Sequence, residues 1–205
     1  MYNLQRKNMA AHLTSKGIID ERVLAAMEKI PRHLFVAKGL EHQAYDEKAL
    51  PIGFGQTISH PYTVALMTQS IQVKYGQKIL EIGTGSGYQA AVLCELGAQV
   101  FTIERIAEIG KKAAELLKEM NYHFVARIGN GALGWQTYAP YDSIIVTAGA
   151  PVLPENLLNQ LALNGKMIIP VGGREGQILT LYEKLEDGYR KTEIENLKFV
   201  PFIGV

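Results

Sequence analysis

The fold is decided by the stretch Ile79-Leu80-Glu81-Ile82-Gly83-Thr84-Gly85-Ser86-Gly87-Tyr88 of this 205-residue chain. A short run rich in Ile and Leu ends at a cluster of glycines, and a helical pattern follows over 88–96. Glycines permit a tight turn between a strand and a helix, and they let the backbone approach a ligand closely. The first turn of the following helix offers unpaired N–H groups. We therefore expect a ligand site at this strand–turn–helix unit.

The glycine spacing and two acidic residues indicate which class of ligand this site binds. The dinucleotide fingerprint G-x-G-x-x-G places its third glycine one position later than Gly87, where this chain has Tyr88. Glu81 lies two positions before Gly83, where a carboxylate would disfavour a pyrophosphate and favour a cationic ligand. S-adenosylmethionine carries a sulfonium and an ammonium and no phosphate. Glu104 ends the next predicted strand and can accept hydrogen bonds from both hydroxyls of a ribose, as in NAD and S-adenosylmethionine enzymes.

Strand and helix patterns alternate along the chain beyond this turn. Apolar runs predict strands over 78–82, 99–103, 123–128, 143–147 and 166–171, and amphipathic patterns predict helices over 106–120 and 154–161. This alternation is typical of a doubly wound, Rossmann-like α/β fold. Two further strands, 178–185 and 190–196, flank the turn signal Glu186-Asp187-Gly188. We therefore expect a mixed sheet that ends in a C-terminal antiparallel hairpin.

The segment before residue 77 has a different character. Apolar residues recur at helical spacing, at Leu4, Met9 and Leu13 and again at Val23, Leu24 and Met27. Asp20 is the predicted N-cap of the second helix, and Pro31 is expected to end it. Residues 45–61 are rich in Gly and Pro and predict a loop, with a helix over 63–72. Long loops often carry function, and no domain linker is evident, so an N-terminal helical extension to a single domain is expected.

Charge and cysteine content argue against several classes of protein. The chain has 21 Lys and Arg against 20 Asp and Glu, a net charge of +1 that disfavours a nucleic-acid binder. Cys94 is the only cysteine, so neither an intramolecular disulfide nor a Cys-based zinc site can form, and no metal is expected. The polar first residues and the lack of an apolar run of about 20 residues argue against a secretory peptide and a membrane span. We therefore expect a cytoplasmic protein.

Several segments of the chain point together to one family. Residues 80–88 resemble motif I of class I methyltransferases. A more specific segment is the loop Ala49-Leu50-Pro51-Ile52-Gly53-Phe54-Gly55-Gln56-Thr57-Ile58-Ser59-His60-Pro61-Tyr62. It is similar to a loop of the protein-L-isoaspartate O-methyltransferase family, which other class I methyltransferases lack. Residues 30–36, 132–135, 169–172 and 199–201 fit the same family in the right order, so the resemblance covers essentially the whole chain.

This resemblance implies a protein repair enzyme. Such an enzyme transfers a methyl group from S-adenosylmethionine to the free carboxylate of L-isoaspartyl residues in damaged proteins and peptides, and S-adenosylhomocysteine is the second product. The methyl ester is the better leaving group, so a succinimide re-forms and can open to a normal aspartyl residue. The resemblance also implies a monomer. Residues 1–205 are then one methyltransferase domain, with helices and a substrate loop in 1–76 and the cofactor-binding core and C-terminal strands in 77–205.

The resemblance also assigns roles to individual residues. Ser59 is expected to donate a hydrogen bond to one oxygen of the substrate carboxylate, which leaves the other oxygen to attack. A carboxylic acid with a pKa of about 4 is already ionised at pH 7, so the reaction needs alignment at about 3–3.5 Å and no general base. Thr57 and His60 share this substrate loop, although the interpretation of His60 as a partly exposed loop histidine without a catalytic role is favoured. The expected cofactor-binding residues are Ile52, Gly53, Phe54, Gly55, Glu81, Gly83, Gly85, Gly87, Glu104, Asn130 and Gly131.

Asn130 departs from the family, which usually has Asp at this position to accept a hydrogen bond from the adenine amino group. The amide keeps an acceptor oxygen but loses the charge. Because a charge-assisted hydrogen bond exceeds a neutral one by about 1 kcal/mol, we expect a several-fold weaker affinity for the cofactor, with fold and reaction unchanged.

Two other functions remain open from the sequence. A class I methyltransferase acting on a small molecule or a nucleic acid would share Glu81, the glycines and Glu104, but it would not need the loop that carries Ser59. An adenosine-binding or NAD-dependent protein without methyltransferase activity is a third possibility, and the misplaced third glycine argues against it.

Overall fold

A computed structural model describes residues 2–173 and 175–204. Within these residues the strands are β1 (Leu50–Gly53), β2 (Gln56–Ile58), β3 (Lys78–Ile82), β4 (Gln99–Glu104), β5 (Phe124–Ile128), β6 (Tyr141–Val146), β7 (Leu161–Val171), β8 (Gln177–Leu185) and β9 (Gly188–Leu197). The α-helices are α1 (Tyr2–Ser15), α2 (Glu21–Lys29), α3 (Pro61–Ile71), α4 (Tyr88–Glu95), α5 (Ala107–Glu119) and α6 (Glu155–Asn159). Short 3-10 helices cover Arg32–Phe35, Glu41–Gln43, Gly131–Leu133 and Gln136–Tyr138.

The main sheet has seven strands in the order β5-β4-β3-β6-β7-β8-β9. The first five of these strands pair in parallel, and β7, β8 and β9 pair antiparallel. The predicted doubly wound mixed sheet with its C-terminal hairpin is therefore confirmed. The strand order changes direction between β3 and β6, and in open α/β sheets ligands bind at the carboxyl ends of the strands at such a switch point.

Alternating side chains of the central strands bury both faces of the sheet. Ile79 lies in one hydrophobic cluster together with residues of α1 to α4, among them Leu13 and Met27. Leu80 lies in a second cluster, which includes Leu157 of α6. The N-terminal helices therefore pack on one face of the sheet and share its core, as the expected helical extension requires. None of the helices in residues 2–173 and 175–204 is long and apolar enough to cross a membrane.

Local sequence signals located most of the elements. Asp20 caps α2 as predicted, since its side chain accepts a hydrogen bond from the backbone N–H of Arg22 at 3.0 Å. Leu185 pairs with Gly188 at the predicted C-terminal turn. The helix expected over 154–161 is shorter, because Leu161 already pairs with Tyr141 and begins β7.

The predicted loop over 45–61 needs a correction, because it contains the antiparallel hairpin of β1 and β2. Gly53 pairs with Gln56, and the two residues between them, Phe54 and Gly55, have φ angles of 53° and 69°. Two positive φ angles are the requirement of the tight type I′ turn. The strands have only four and three residues, so they are too short for a periodic sequence pattern to indicate a strand.

Candidate functional site

A cleft of about 910 Å³, including the solvent open to it, lies at the carboxyl ends of β3, β4 and β6. The glycine turn and the end of β4 form one side, and residues 56–59 with α3 form another. Residues 200–203 of the C-terminal segment also line it. The cleft therefore occupies the switch point of the sheet, where ligands bind in open α/β folds.

The glycine turn brings the backbone of β3 close to the end of β6. A Cβ atom on Gly83 would lie 2.4 Å from Oγ1 of Thr147, and the φ of Gly83 is +95°. Oγ1 of Thr147 donates a hydrogen bond to the carbonyl oxygen of Gly83 at 2.7 Å. Only glycine fits this position, which explains the first glycine of the cluster as a packing requirement of the turn.

Glu104 is held rigidly at the end of β4. Its Oε2 accepts a hydrogen bond from the backbone N–H of Gly85 at 2.9 Å, and its Oε1 accepts one from the N–H of Ile106 at 3.0 Å. The side chain is buried at 8% exposure and lines the cleft. Each carboxylate oxygen can accept more than one hydrogen bond, so both remain able to accept a hydroxyl of a ligand.

Glu81 lies behind the glycine turn and does not line the cleft. Its side chain is fully buried, and Oε2 accepts a hydrogen bond from Oγ1 of Thr102 at 2.6 Å. The hydroxyls of Thr102 and Thr84 are 2.6 Å apart, and Thr84 lines the cleft. Burial raises the pKa of Glu81 to about 8, so the carboxyl is mostly protonated at neutral pH. The hydrogen bonds from Glu81 through Thr102 to Thr84 connect this carboxyl to the cleft. A direct contact between Glu81 and the cofactor stays a prediction.

The substrate loop brings its hydroxyl groups to the cleft. Ser59 is half-buried between β2 and α3, and it lines the cleft together with Thr57. Within the described part of the chain, no other group forms a hydrogen bond with the Ser59 hydroxyl, so it is available to a ligand. His60 does not line the cleft; it precedes α3, and its side chain forms no capping hydrogen bond.

The hairpin residues expected at the cofactor are placed to one side of the cleft. Ile52 and Phe54 line a second groove of about 720 Å³, which shares Gly85 and Ser86 with the cleft. Phe54 is 64% exposed at the tip of the hairpin. Gly53 and Gly55 line neither cavity. The expected cofactor contacts of these four residues therefore stay predictions.

Asn130 turns its side chain toward its own backbone. Oδ1 accepts a hydrogen bond from the N–H of Ala132 at 2.9 Å, which caps the 3-10 helix Gly131–Leu133, and Nδ2 donates to the carbonyl of Gly204 at 3.4 Å. Gly131 lines the cleft, and a Cβ atom there would lie 2.4 Å from Cγ2 of Ile82. The structure thus places Gly131 at the predicted site, and Asn130 beside it with its acceptor oxygen already engaged.

Comparison with known proteins decides the family. The profile of the family described as Protein-L-isoaspartate(D-aspartate) O-methyltransferase matches residues 4–205. The chain belongs to this family. A protein-L-isoaspartate O-methyltransferase of Syntrophobacter fumaroxidans is 48% identical, with 100% of this chain and 97% of that protein aligned. The Vibrio parahaemolyticus enzyme is also 48% identical, over 100% of this chain and 98% of its own.

Solved structures agree with this assignment. A protein-L-isoaspartate O-methyltransferase from Plasmodium falciparum, in complex with S-adenosyl-L-homocysteine, superimposes with a TM-score of 0.85. It is 27% identical in sequence, and the alignment covers 96% of this chain and 97% of that one. The C-terminal domain of a precorrin-6Y methyltransferase from Rhodobacter capsulatus, 18% identical, covers 69% of this chain and 86% of that one with a TM-score of 0.53, which shows the fold alone.

Membership in the family confirms several expectations from the sequence. The chain is a protein-L-isoaspartate O-methyltransferase by family, with the class I fold, and the family uses S-adenosylmethionine to methylate isoaspartyl residues in proteins. The match spans nearly the whole chain, so it sets aside both alternative functions considered from the sequence.

Several residues of the cleft were missed from the sequence. Thr147 directly follows β6 beside Gly83, and its only signal was a polar residue at the end of the strand predicted over 143–147. Phe202 and its neighbours line the cleft because the tail pairs with Gly149, whose N–H donates to the carbonyl of Val200 at 2.8 Å. No local pattern could have placed this tail. Arg32, which is fully buried and contacts Ser59, was not singled out either.

Proposed function

We propose that this enzyme methylates L-isoaspartyl residues in the cleft described above, with Ser59 as the residue that orients the substrate carboxylate. The observation that carries this proposal is the free hydroxyl of Ser59 in the same cleft as Glu104 and the glycine turn. An alcohol group and a nucleoside-binding acid in one cavity fit a reaction between a peptide carboxylate and a cofactor that carries a ribose. Damaged proteins and peptides are the partners that this reaction requires.

The cleft residues fit S-adenosylmethionine. Glu104 offers two fixed acceptor oxygens for the ribose hydroxyls. Gly85 and Gly131 present backbone without side chains, and a Cβ atom on Gly131 would collide with Ile82. When bound, the cofactor supplies a methyl group on a positively charged sulfur. We assign the remaining predicted contacts to Gly83 and Gly87 of the glycine turn, to Asn130 after β5, and to Glu81 through Thr102 and Thr84.

Ser59 is proposed to act by hydrogen bonding alone. Its hydroxyl donates to one oxygen of the isoaspartyl carboxylate and so directs the other oxygen toward the methyl group. The carboxylate is ionised at neutral pH, so no residue needs to remove a proton. The contribution of Ser59 is alignment, and alignment at near-attack distance accounts for much of the rate in such displacements. Thr57 lines the cleft together with Ser59, and we propose that Thr57 and His60 belong to the loop that contacts the substrate. We propose that the hairpin residues 52–55 contact the cofactor.

The wider organisation is also proposed. Residues 1–76 and 77–205 form one domain, supported by a hydrophobic cluster that combines residues of both segments. We further propose a monomer in the cytoplasm that binds no nucleic acid. The net charge of +1 supports the last point, and the single unpaired cysteine is usual in a reducing compartment. Light scattering of the purified enzyme tests whether it is a monomer, and fractionation of cells tests whether it is in the cytoplasm.

The role of Ser59 is tested with an isoaspartyl peptide, its aspartyl isomer and labelled S-adenosylmethionine. The wild type should label only the isoaspartyl peptide. Ser59→Ala removes one hydrogen bond to a charged group, worth about 1.5–3 kcal/mol, so turnover should fall about 10- to 150-fold. Binding of S-adenosylhomocysteine, measured by calorimetry, should change little because the substitution leaves Glu104 and the glycine turn intact.

Ser70→Ala is the matched control, because Ser70 lies on α3 and its hydroxyl bonds only to the carbonyl of Leu66. It should keep wild-type turnover. Full turnover of Ser59→Ala would refute the orienting role. Equal labelling of both peptides by the wild type would refute the substrate assignment.

A further inference from the structure

Arg32 is a fully buried cation with no acidic partner among the residues that the structure describes. None of the ion pairs among the described residues involves it, and its side chain is 0% exposed. Burial lowers its pKa to about 10, so the guanidinium still carries its charge at neutral pH. A buried charge is costly unless its donors are well satisfied. Such a group needs an explanation beyond filling the core.

The contacts of Arg32 are to backbone carbonyls and an aromatic ring. Its Nε donates to the carbonyl of Ala44 at 2.7 Å, and its Nη2 donates to the carbonyl of Ser59 at 2.5 Å. Its Cζ lies 4.6 Å from the centroid of the Tyr88 ring. The third nitrogen, Nη1, has no hydrogen-bond partner among the described residues.

These contacts join two sides of the cleft. Ser59 lies on the side of the substrate loop, and Tyr88 is the first residue of α4, directly after the glycine turn. Both residues line the cleft. The guanidinium therefore lies between the backbone that carries the orienting hydroxyl and the helix that follows the cofactor turn.

We propose that Arg32 is a positioning residue for methyl transfer, which holds the backbone of Ser59 at a set distance from the glycine turn through Tyr88. This inference rests on the proposed role of Ser59. A displacement of about 1 Å at the reacting centre can cost about 100-fold in rate. A fixed link between Ser59 and Tyr88 is therefore a requirement of the alignment that Ser59 provides.

The residue type fits this role. A planar guanidinium can donate to two carbonyls along different N–H directions while its face lies against an aromatic ring. A lysine ammonium is a single point charge without a planar face, so it cannot donate from two separate nitrogens while lying flat against the ring of Tyr88. The Arg32→Lys substitution therefore keeps the charge and removes the link, which separates positioning from electrostatics.

A double-mutant cycle with Ser59→Ala tests this proposal. Arg32→Lys should lower kcat about 10- to 100-fold, while the Kd of S-adenosylhomocysteine stays within about threefold. If Arg32 acts through Ser59, the same substitution made in the Ser59→Ala enzyme should lower kcat by less than about threefold. A merely structural arginine would lower kcat equally in both backgrounds, and that result would overturn the proposal.

Destabilisation is controlled with Leu13→Ala, which removes a buried side chain from the same hydrophobic cluster as Tyr88. If Leu13→Ala lowers both the Tm and kcat as much as Arg32→Lys does, the proposal also fails.

If Arg32→Lys does not fold, Arg32→Met, which buries no charge, replaces it in the double-mutant cycle.

The cycle separates the two proposals. If Ser59→Ala alone keeps full turnover, the role of Ser59 is wrong and Arg32 has nothing to position. If Ser59→Ala lowers turnover and the two substitutions are additive, the role of Ser59 stands and only the role of Arg32 is refuted.

Discussion

Replacement of Glu104 by Gln tests how far the rigid acid at the end of β4 supports both the fold and the cofactor. In the structure each carboxylate oxygen accepts a backbone N–H, one from Gly85 at 2.9 Å and one from Ile106 at 3.0 Å. An amide has a single acceptor oxygen. Glu104→Gln can therefore satisfy only one of the two N–H groups, and its NH₂ faces the other donor.

The size of the effect follows from the two hydrogen bonds. Loss of one hydrogen bond to a charged group costs about 1.5–3 kcal/mol. In a domain of this size 1 kcal/mol shifts the Tm by about 2–4 °C, so we expect Glu104→Gln to melt about 3–12 °C lower. The amide can likewise accept from only one ribose hydroxyl, so the Kd of S-adenosylhomocysteine should rise about 10- to 100-fold.

Thermal melts of the ligand-free protein and calorimetric titration with S-adenosylhomocysteine measure the two effects separately. Glu119→Gln is the matched control, because this substitution removes the same charge from an exposed residue at the end of α5. It should leave Tm and Kd near the wild-type values. An unchanged Tm together with a Kd within twofold of the wild type for Glu104→Gln would show that the reasoning about Glu104 is wrong.

Two further predictions concern Gly131 and Glu81. Gly131→Ala should weaken binding of S-adenosylhomocysteine at least tenfold, because its Cβ would lie 2.4 Å from Ile82 beside the cleft. Gly129→Ala, whose Cβ would meet only Arg127 at 3.6 Å, should bind normally; equal losses in titrations of both variants would contradict this. Burial raises the pKa of Glu81 from 4.5 to about 8, so the folded protein retains a proton that the unfolded chain has lost. The stability that this group contributes is full below about pH 4.5 and is lost as the pH rises through about 8. Urea unfolding between pH 5 and about 8.5 should therefore show the wild type losing stability relative to Glu81→Gln, and parallel pH profiles would argue against a raised pKa.

Much of the fold could be predicted because its signals are local. The apolar run before Gly83, the turn between Leu185 and Gly188, and the cap at Asp20 each depend on residues within a few positions of one another. The hairpin at 50–58 was missed, since its strands of four and three residues are too short to show a periodic pattern. The positions of Glu104 and Gly131 at one cleft could be expected, because parallel strands bring their carboxyl ends to the same edge of the sheet. Ser59 follows the separate hairpin, and only the resemblance to the family predicted its place at this site.

The sequence by itself determined the strand–glycine–helix unit, the mixed sheet and the family. Only the tertiary structure decided which side chains reach the cleft. Glu81 precedes the glycine turn, yet the strand directs its carboxyl into the protein interior toward Thr102. Arg32 meets a carbonyl 27 residues away, and the tail at Val200 joins the cleft through Gly149. Such contacts depend on how elements that are distant in the sequence pack against each other. A local sequence pattern cannot predict them, because it depends only on residues that are neighbours along the chain.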